Sequence, residues 1–298
     1  MAIRPDLLQP GDKVVIIAPA GKVVEGTHQR AIQVFKGWGL VPEISKYALG
    51  GENYFSGTDE QRLEDFQSAI NNPEIKAIFC ARGGYGTTRI IDLLDFTALA
   101  THPKWIIGYS DITTVHFRMH NMGFESIHSV MPTGFDNANP PTISSLKNIL
   151  FNDYFEYELP GNNLNVEGKT AATIIGGNLS LVVDSIGTAS EIDATNKILF
   201  IEEIDEYLYK IDRMMVQLVR SGKLSNLAAL IVGHMTGMKD TKVPINKSAN
   251  ELIHSLVSGY NYPVAFGIPI GHEDLNLAIP CSREIQLRID NNKVNIKG

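Results

Sequence analysis

The sequence predicts an α/β protein: a parallel-sheet domain followed by a smaller, β-rich α/β domain. Three observations predict it. Short apolar runs alternate with longer amphipathic stretches through the first half, the pattern of successive β-α units. Polar or glycine-rich loops follow the apolar runs at Pro19-Ala20-Gly21, at 82–86 and at Ser110, where a doubly wound sheet carries its functional loops. At 298 residues, with 44% hydrophobic content, the chain exceeds what one core usually organises, so two domains are expected.

Residues 12–19 (DKVVIIAP) read as a buried strand closed by Pro19-Ala20-Gly21. Residues 27–39 follow as a helix with Ala31, Ile32, Val34, Phe35 and Trp38 inward and Gly39 as its stop. A short strand at 40–44 leads to a helix at 58–71, with Leu63, Phe66, Ala69 and Ile70 on one face and a capping box at Thr58 and Gln61. A third strand at 75–81 runs into the loop 82–86 (RGGYG), and 88–94 read as helical. The fourth strand, 105–109, turns at Ser110 into a helix over 111–122, and 124–131 read as a fifth strand.

Residues 152–169 are polar, carry Pro-Gly and Asn-Asn, and lack a helical period, so they read as a linker or an edge hairpin. That boundary gives a first domain of 1–151 and a second of 170–298. The second restarts with a strand at 170–177, the loop Gly176-Gly177-Asn178-Leu179 and a helix to about 187. Strands at 197–201, 228–232 and 263–267 alternate with helices at 209–221 and 249–258, and 284–296 alternates like a hairpin about Asp290-Asn291-Asn292.

Composition narrows the function classes. Lys and Arg total 26 against 33 Asp and Glu, a net charge of −7, which offers no basic face for a phosphate backbone and argues against nucleic acid as a partner. The two cysteines, Cys80 and Cys281, sit in or beside apolar runs and read as buried free thiols; no CxxC pair suggests a metal. The N-terminal MAIRPDLLQPGDKV breaks up any signal-peptide core, and no apolar run approaches a membrane span, so a cytoplasmic protein is expected.

The most informative local feature is the strand–serine–helix junction Gly108-Tyr109-Ser110-Asp111. A serine at such a turn projects its Oγ from the sheet end, and the amide of Asp111 behind it could hold an oxyanion. Helix capping by Ser110 or Asp111 accounts for the same residues, and Ile112 stands where Gly-x-Ser-x-Gly would have its second glycine. The loop containing Arg82 and Gly84 closes a neighbouring strand; it could supply a second oxyanion amide, cradle an anion, or be a plain turn. Among eight histidines, His116 and His120 form an i, i+4 pair that reads as a surface pair lacking the rest of a metal motif, whereas His272 follows a strand in a Gly/Pro loop. Glu202 is the first polar residue after the strand ILFI, with Glu203, Asp205 and Glu206 behind it; it could orient a base, join a Mg²⁺ site, or belong to a solvated loop.

Taken together and in order, VIIAPA (15–20), YFSGTDEQR (54–62), ARGGYG (81–86), GYSDIT (108–113), GGNL (176–179), LFIEE (199–203), IDRM (211–214) and GHE (271–273) resemble the LD-carboxypeptidase family of serine peptidases, which includes the microcin-immunity peptidases. The resemblance implies a flavodoxin-like N-terminal domain and a smaller β-rich C-terminal domain, with the site between them. It implies Ser110 as nucleophile, His272 as base and Glu202 as the acid that orients it, with no cofactor and a homodimeric assembly. The implied substrate is the murein tetrapeptide, cut before its terminal D-Ala during peptidoglycan recycling. Gly84 and Asp111 would then supply oxyanion amides and Arg82 a partner for the substrate carboxylate. A microcin-immunity type of peptidase, cleaving aminoacyl-nucleotide toxins, keeps the triad but would want an aromatic platform; Trp38 and Trp105 both fall inside expected elements. A non-catalytic anion-binding module and a metal-dependent hydrolase built on Glu202 and its neighbours are the more distant readings.

Overall fold

Valine- and isoleucine-rich runs of the first half assemble into a parallel sheet. In the computed structural model, which describes residues 2–290 and 292–298, the strands are β1 (Lys13–Ile17), β2 (Val41–Ile44), β3 (Ile75–Cys80), β4 (Trp105–Gly108) and β5 (Ser126–His128). They pair in parallel in the order β2-β1-β3-β4-β5, the flavodoxin-like arrangement. The central strands are buried along almost their whole length, which is why they read as continuous apolar runs. The helices are α1 (Gln29–Gly37), α2 (Asp59–Asn71), α3 (Thr113–Asn121) and α4 (Pro140–Asn152). The capping box of α2 is present, with Thr58 and Gln61 bonded reciprocally.

The second half builds a seven-stranded mixed sheet. Its strands are β6 (Glu156–Pro160), β7 (Gly168–Asn178), β8 (Ile198–Ile204), β9 (Ala229–Thr236), β10 (Val264–Phe266), β12 (Glu284–Asp290) and β13 (Lys293–Lys297), in the order β10-β9-β8-β7-β12-β13-β6. The helices α5 (Leu179–Asp184), α6 (Leu208–Arg220) and α7 (Ala249–Val257) connect the parallel part. β7 serves both parts: its first half pairs antiparallel with β12, its second half parallel with β8, in a register that sets Asn178 against Glu202. On β12, Ile285, Leu287 and Ile289 are buried and their neighbours exposed, the expected period of two.

Several elements differ from the sequence expectation. Residues 88–94 form two 3₁₀ turns, Thr87–Arg89 and Ile91–Leu93, in place of a helix. The Asp111 carboxylate accepts the Thr87 amide at 2.8 Å and pins the start of this segment, which is too short to wind further. The fifth strand is three residues long instead of spanning 124–131. Residues 152–169, expected as a linker or edge hairpin, contain the edge strand β6, with Tyr157 buried and bonded to the Ala278 carbonyl; the polar composition reflects the edge position. Asn291, in the expected hairpin turn, lies outside the described residues.

One strand crosses between the halves. β11 (Ile279–Cys281) pairs antiparallel with β5 and completes the first sheet as a sixth strand. Elsewhere the halves meet where β7 reaches α3. A Cβ at Gly177 (φ +148°) would lie 2.3 Å from Thr113 Oγ1, so only glycine allows the contact, and the Asn178 amide donates to that oxygen at 3.0 Å. A buried ion pair between Arg283 and Glu125 at 2.8 Å joins the halves farther along. Among the described residues no helix is long and apolar enough to cross a membrane.

Candidate active site

β4 delivers Ser110. Tyr109 is still extended (φ −152°), Ser110 has φ +62°, and α3 begins three residues later at Thr113. A non-glycine residue in the left-handed region is strained, and such strain gathers at functional sites. Neither Ser110 nor Asp111 makes a side-chain cap on the helix, so the capping alternative does not account for them. Asp111 is buried and spends its carboxylate on the Thr87 amide; burial pushes its pKa up, with the Thr87 bonds opposing. Ile112 is accommodated because the neighbouring glycine is on the strand side: a Cβ at Gly108 would come within 2.8 Å of it.

The glycine loop lies against the serine. A Cβ at Gly83 would stand 3.1 Å from Ser110 Cβ and 3.2 Å from its Oγ, whereas Gly84 faces the Tyr54 hydroxyl. Gly83, not singled out from the sequence, is therefore the glycine packed on Ser110. Its carbonyl accepts the Gly21 amide at 3.1 Å. Arg62, buried to 1% exposure, donates to the carbonyls of Pro19 and Gly86 and clamps the loop to the end of β1. A charged residue on the inward side of α2 was the available signal for this role.

Glu202 and His272 come together. Glu202 is fully buried on β8, and its Oε2 accepts His272 Nδ1 at 2.6 Å. Gly271 (φ +122°) makes this possible, since a Cβ there would sit 2.7 Å from that oxygen. The Gly271 amide is held by Asn276 Oδ1, and the Asn276 amide donates to Thr142 Oγ1 on α4. The loop that carries His272 is thus docked on a helix of the first half. The Tyr109 ring packs on the His272 imidazole with centroids 4.8 Å apart, beside the serine in sequence. Among the described residues no hydrogen bond joins Ser110 Oγ to His272 Nε2; such bonds often tighten only when substrate is present.

Burial opposes charge on His272, but the hydrogen bond and charge of Glu202, with Glu203 and Asp205 beyond, outweigh it and hold the imidazole above the usual histidine range. Burial pushes the Glu202 carboxyl up, partly offset by His272. The pair therefore retains one proton on Nδ1, and Nε2 becomes a base when the second proton leaves. Substituting Gly271→Ala is expected to push the carboxylate off the imidazole and lower turnover by about 10²-fold, the cost of roughly an ångström of misplacement. Comparison of kcat with the urea midpoint checks this, since a purely structural effect would move only the latter.

The other candidates separate. Glu203 is structural: its oxygens accept from Asn178 Nδ2, the Ser180 amide and hydroxyl, and the Ile204 amide. Asp205 pairs with Lys239 and Glu206 with Lys210, so the four acids do not converge, and among the described residues no cluster of three or more His, Cys, Asp or Glu is arranged to hold a metal. The expected surface pair His116 and His120 is instead buried or half-buried: His116 bonds Ser126 and the Gly108 carbonyl, His120 bonds Ser282, and burial lowers each to about 4. Arg82 donates to the Lys22 carbonyl at 2.6 Å on the wall of a cleft. Neither tryptophan offers an aromatic platform: Trp105 is fully buried and donates to the Asp6 carbonyl, and Trp38 packs on Phe35 and Phe151. Cys80 and Cys281 are buried and free.

Comparison with known proteins follows the two halves. Residues 14–129 match the LD-carboxypeptidase N-terminal domain and residues 171–287 the LD-carboxypeptidase C-terminal domain. A probable murein peptide carboxypeptidase of Bacillus subtilis is 35% identical over 93% of this chain and 89% of its own. A murein tetrapeptide carboxypeptidase of Pseudomonas aeruginosa is 29% identical over 91% and 92%. The crystal structure of muramoyltetrapeptide carboxypeptidase from Oxalobacter formigenes superposes with a TM-score of 0.87 at 29% identity, covering 96% of this chain and 98% of that one.

Proposed function

The chain belongs to the LD-carboxypeptidase family, and from that premise we propose that it is a serine carboxypeptidase releasing the terminal D-Ala of murein tetrapeptides through Ser110, His272 and Glu202. The observation that carries the reading is the 2.6 Å bond from His272 to a fully buried Glu202, with the His272 ring packed on Tyr109, the residue that precedes a serine held at φ +62°.

The chemistry follows from these positions. His272 Nε2 takes the Ser110 hydroxyl proton as Oγ attacks the carbonyl of the penultimate residue. Amides of the glycine loop near Gly84 and of Asp111 receive the negative charge that develops on the carbonyl oxygen. His272 returns the proton to the departing amine, D-Ala leaves, and water activated by the same imidazole hydrolyses the acyl-enzyme. Carried through, the reading makes the protein a cytoplasmic homodimer acting in peptidoglycan recycling, with no metal or cofactor in the reaction.

The test is release of free D-Ala from murein tetrapeptide by the folded protein, with and without a chelator. Release with the tripeptide as co-product, at the same rate in chelator, is the expected result. No release from either the L-lysine or the diaminopimelate tetrapeptide would sink the proposal.

A further inference from the structure

The turn that carries Ser110 has to be held from both sides, because a serine at φ +62° relaxes unless its surroundings over-determine it. On the C-terminal side the Asp111 carboxylate accepts the Thr87 amide at 2.8 Å, and the Ile112 amide donates to the Tyr109 carbonyl at 3.2 Å. On the N-terminal side two donors converge on one oxygen. The Gly108 carbonyl, at the end of β4, accepts the Ser129 amide at 3.1 Å and bonds His116 Nε2 at 3.0 Å. The first bond joins the ends of neighbouring strands. The second reaches back eight residues from α3, across the serine itself.

The partners of His116 fix which nitrogen carries its proton. A carbonyl oxygen can only accept, so Nε2 bears the hydrogen and Nδ1 keeps a lone pair. That lone pair accepts the Ser126 hydroxyl at 2.8 Å. His116 and Ser126 are both fully buried, and burial lowers the imidazole to about 4, so it stays neutral in this one tautomer. Burial alone does not demand such bonds. His128 is buried beside it, with ring centroids 6.3 Å apart, and neither of its nitrogens has a hydrogen-bond partner among the described residues. The bonds of His116 come from its place behind the serine turn.

We infer that His116 is a positioning residue for the nucleophile: it ties α3 to the end of β4 and so fixes the turn that presents Ser110 Oγ, while Ser126 selects the tautomer that can donate. The inference rests on Ser110 being the nucleophile of the proposed carboxypeptidase. Without the His116 donor, the Gly108 carbonyl keeps only its bond to the neighbouring strand, and the strained turn is free to relax. A displacement of roughly an ångström at the reacting atom costs about 10²-fold in turnover. Substrate contacts made by other residues stay in place, so the loss should fall on kcat and leave KM alone.

The experiment measures kcat and KM for D-Ala release, and the urea midpoint, for wild type, His116→Leu, His116→Gln and Ser126→Ala. Leucine fills the space without a donor. Glutamine presents a donor and an acceptor in the same order, Nε2 for Gly108 and Oε1 for Ser126. His116→Leu is expected to lower kcat by about 10²-fold at nearly unchanged KM, and His116→Gln to restore most of that loss. Ser126→Ala should lower kcat by about tenfold, the scale of one hydrogen bond. A merely structural histidine would lower the midpoint and leave kcat per folded molecule unchanged, and that result overturns the inference. Equal losses of kcat in the leucine and glutamine variants overturn it too, as does a raised KM at constant kcat. If His116→Leu does not fold, Ser126→Ala decides, and wild-type kcat there overturns the inference. In each of these cases an active wild type leaves the carboxypeptidase reading standing; no release by wild type removes that reading and this inference with it.

Discussion

Ser110→Ala is expected to lower D-Ala release by roughly 10⁶-fold, the scale seen when a serine nucleophile is removed from an intact triad. What remains would come from the oxyanion amides and substrate binding alone. Stability should move differently. Ser110 sits at φ +62°, a conformation that costs a non-glycine residue about 1–2 kcal/mol. Ser110→Gly removes that strain, against the greater entropy glycine has in the unfolded chain. The glycine variant is therefore expected to be inactive yet to unfold in urea at a concentration no lower than wild type. Activity surviving in both variants would show that Ser110 is not the nucleophile; a midpoint well below wild type in the glycine variant would show that the turn is not strained.

The second large effect is expected from Glu202→Gln, for which a loss of about 10⁴-fold in kcat is the scale when the orienting acid of a triad becomes an amide. The pH profile separates this from simple damage. In wild type, His272 is held above the usual histidine range by Glu202, against the opposing effect of burial. The imidazole must be deprotonated to act as base, so kcat/KM should rise with pH through an apparent pKa above the ordinary histidine value of about 6.5. With the carboxylate gone, burial is the largest influence left, and the residual activity should show its acid limb displaced to lower pH. A limb that stays in place while activity falls would assign Glu202 a role other than charge support of the base.

How far the sequence discloses this site depends on the kind of contact. The β-branched runs of β1, β3, β4 and β8 announce buried parallel strands, and the turns at their ends announce Ser110 and Glu202, because strand, turn and helix are coded by neighbouring residues. What holds the site together is coded across long separations. The Asn276 amide bonds Thr142, 134 residues earlier, and nothing near either residue marks the pairing. α4 begins with Pro140 and Pro141, a helix-start signal, but its polar and apolar residues show no strong alternation of faces, so the sequence alone marks no element there. β11 is three residues with a proline at its centre, which reads as a loop until β5 is present to pair with it. Arg62 falls on the inward face of α2 with Phe66 and Ala69, but nothing in its neighbourhood tells which loop its guanidinium would clamp. The residue types proposed for the triad can be read from the sequence; the long-range contacts that hold them in place cannot.

The late position of β11 also bears on biogenesis. Synthesis runs from the N-terminus, and domains tend to fold as they emerge. Here the flavodoxin-like sheet can gather β1 to β5 early, but β5 keeps an open flank until residues 279–281 leave the ribosome. An unpaired edge is a template for association with other chains. Completion of the first sheet is thus deferred until the second half has been made, and a chain stopped after α4 would be aggregation-prone and would also lack Glu202 and His272.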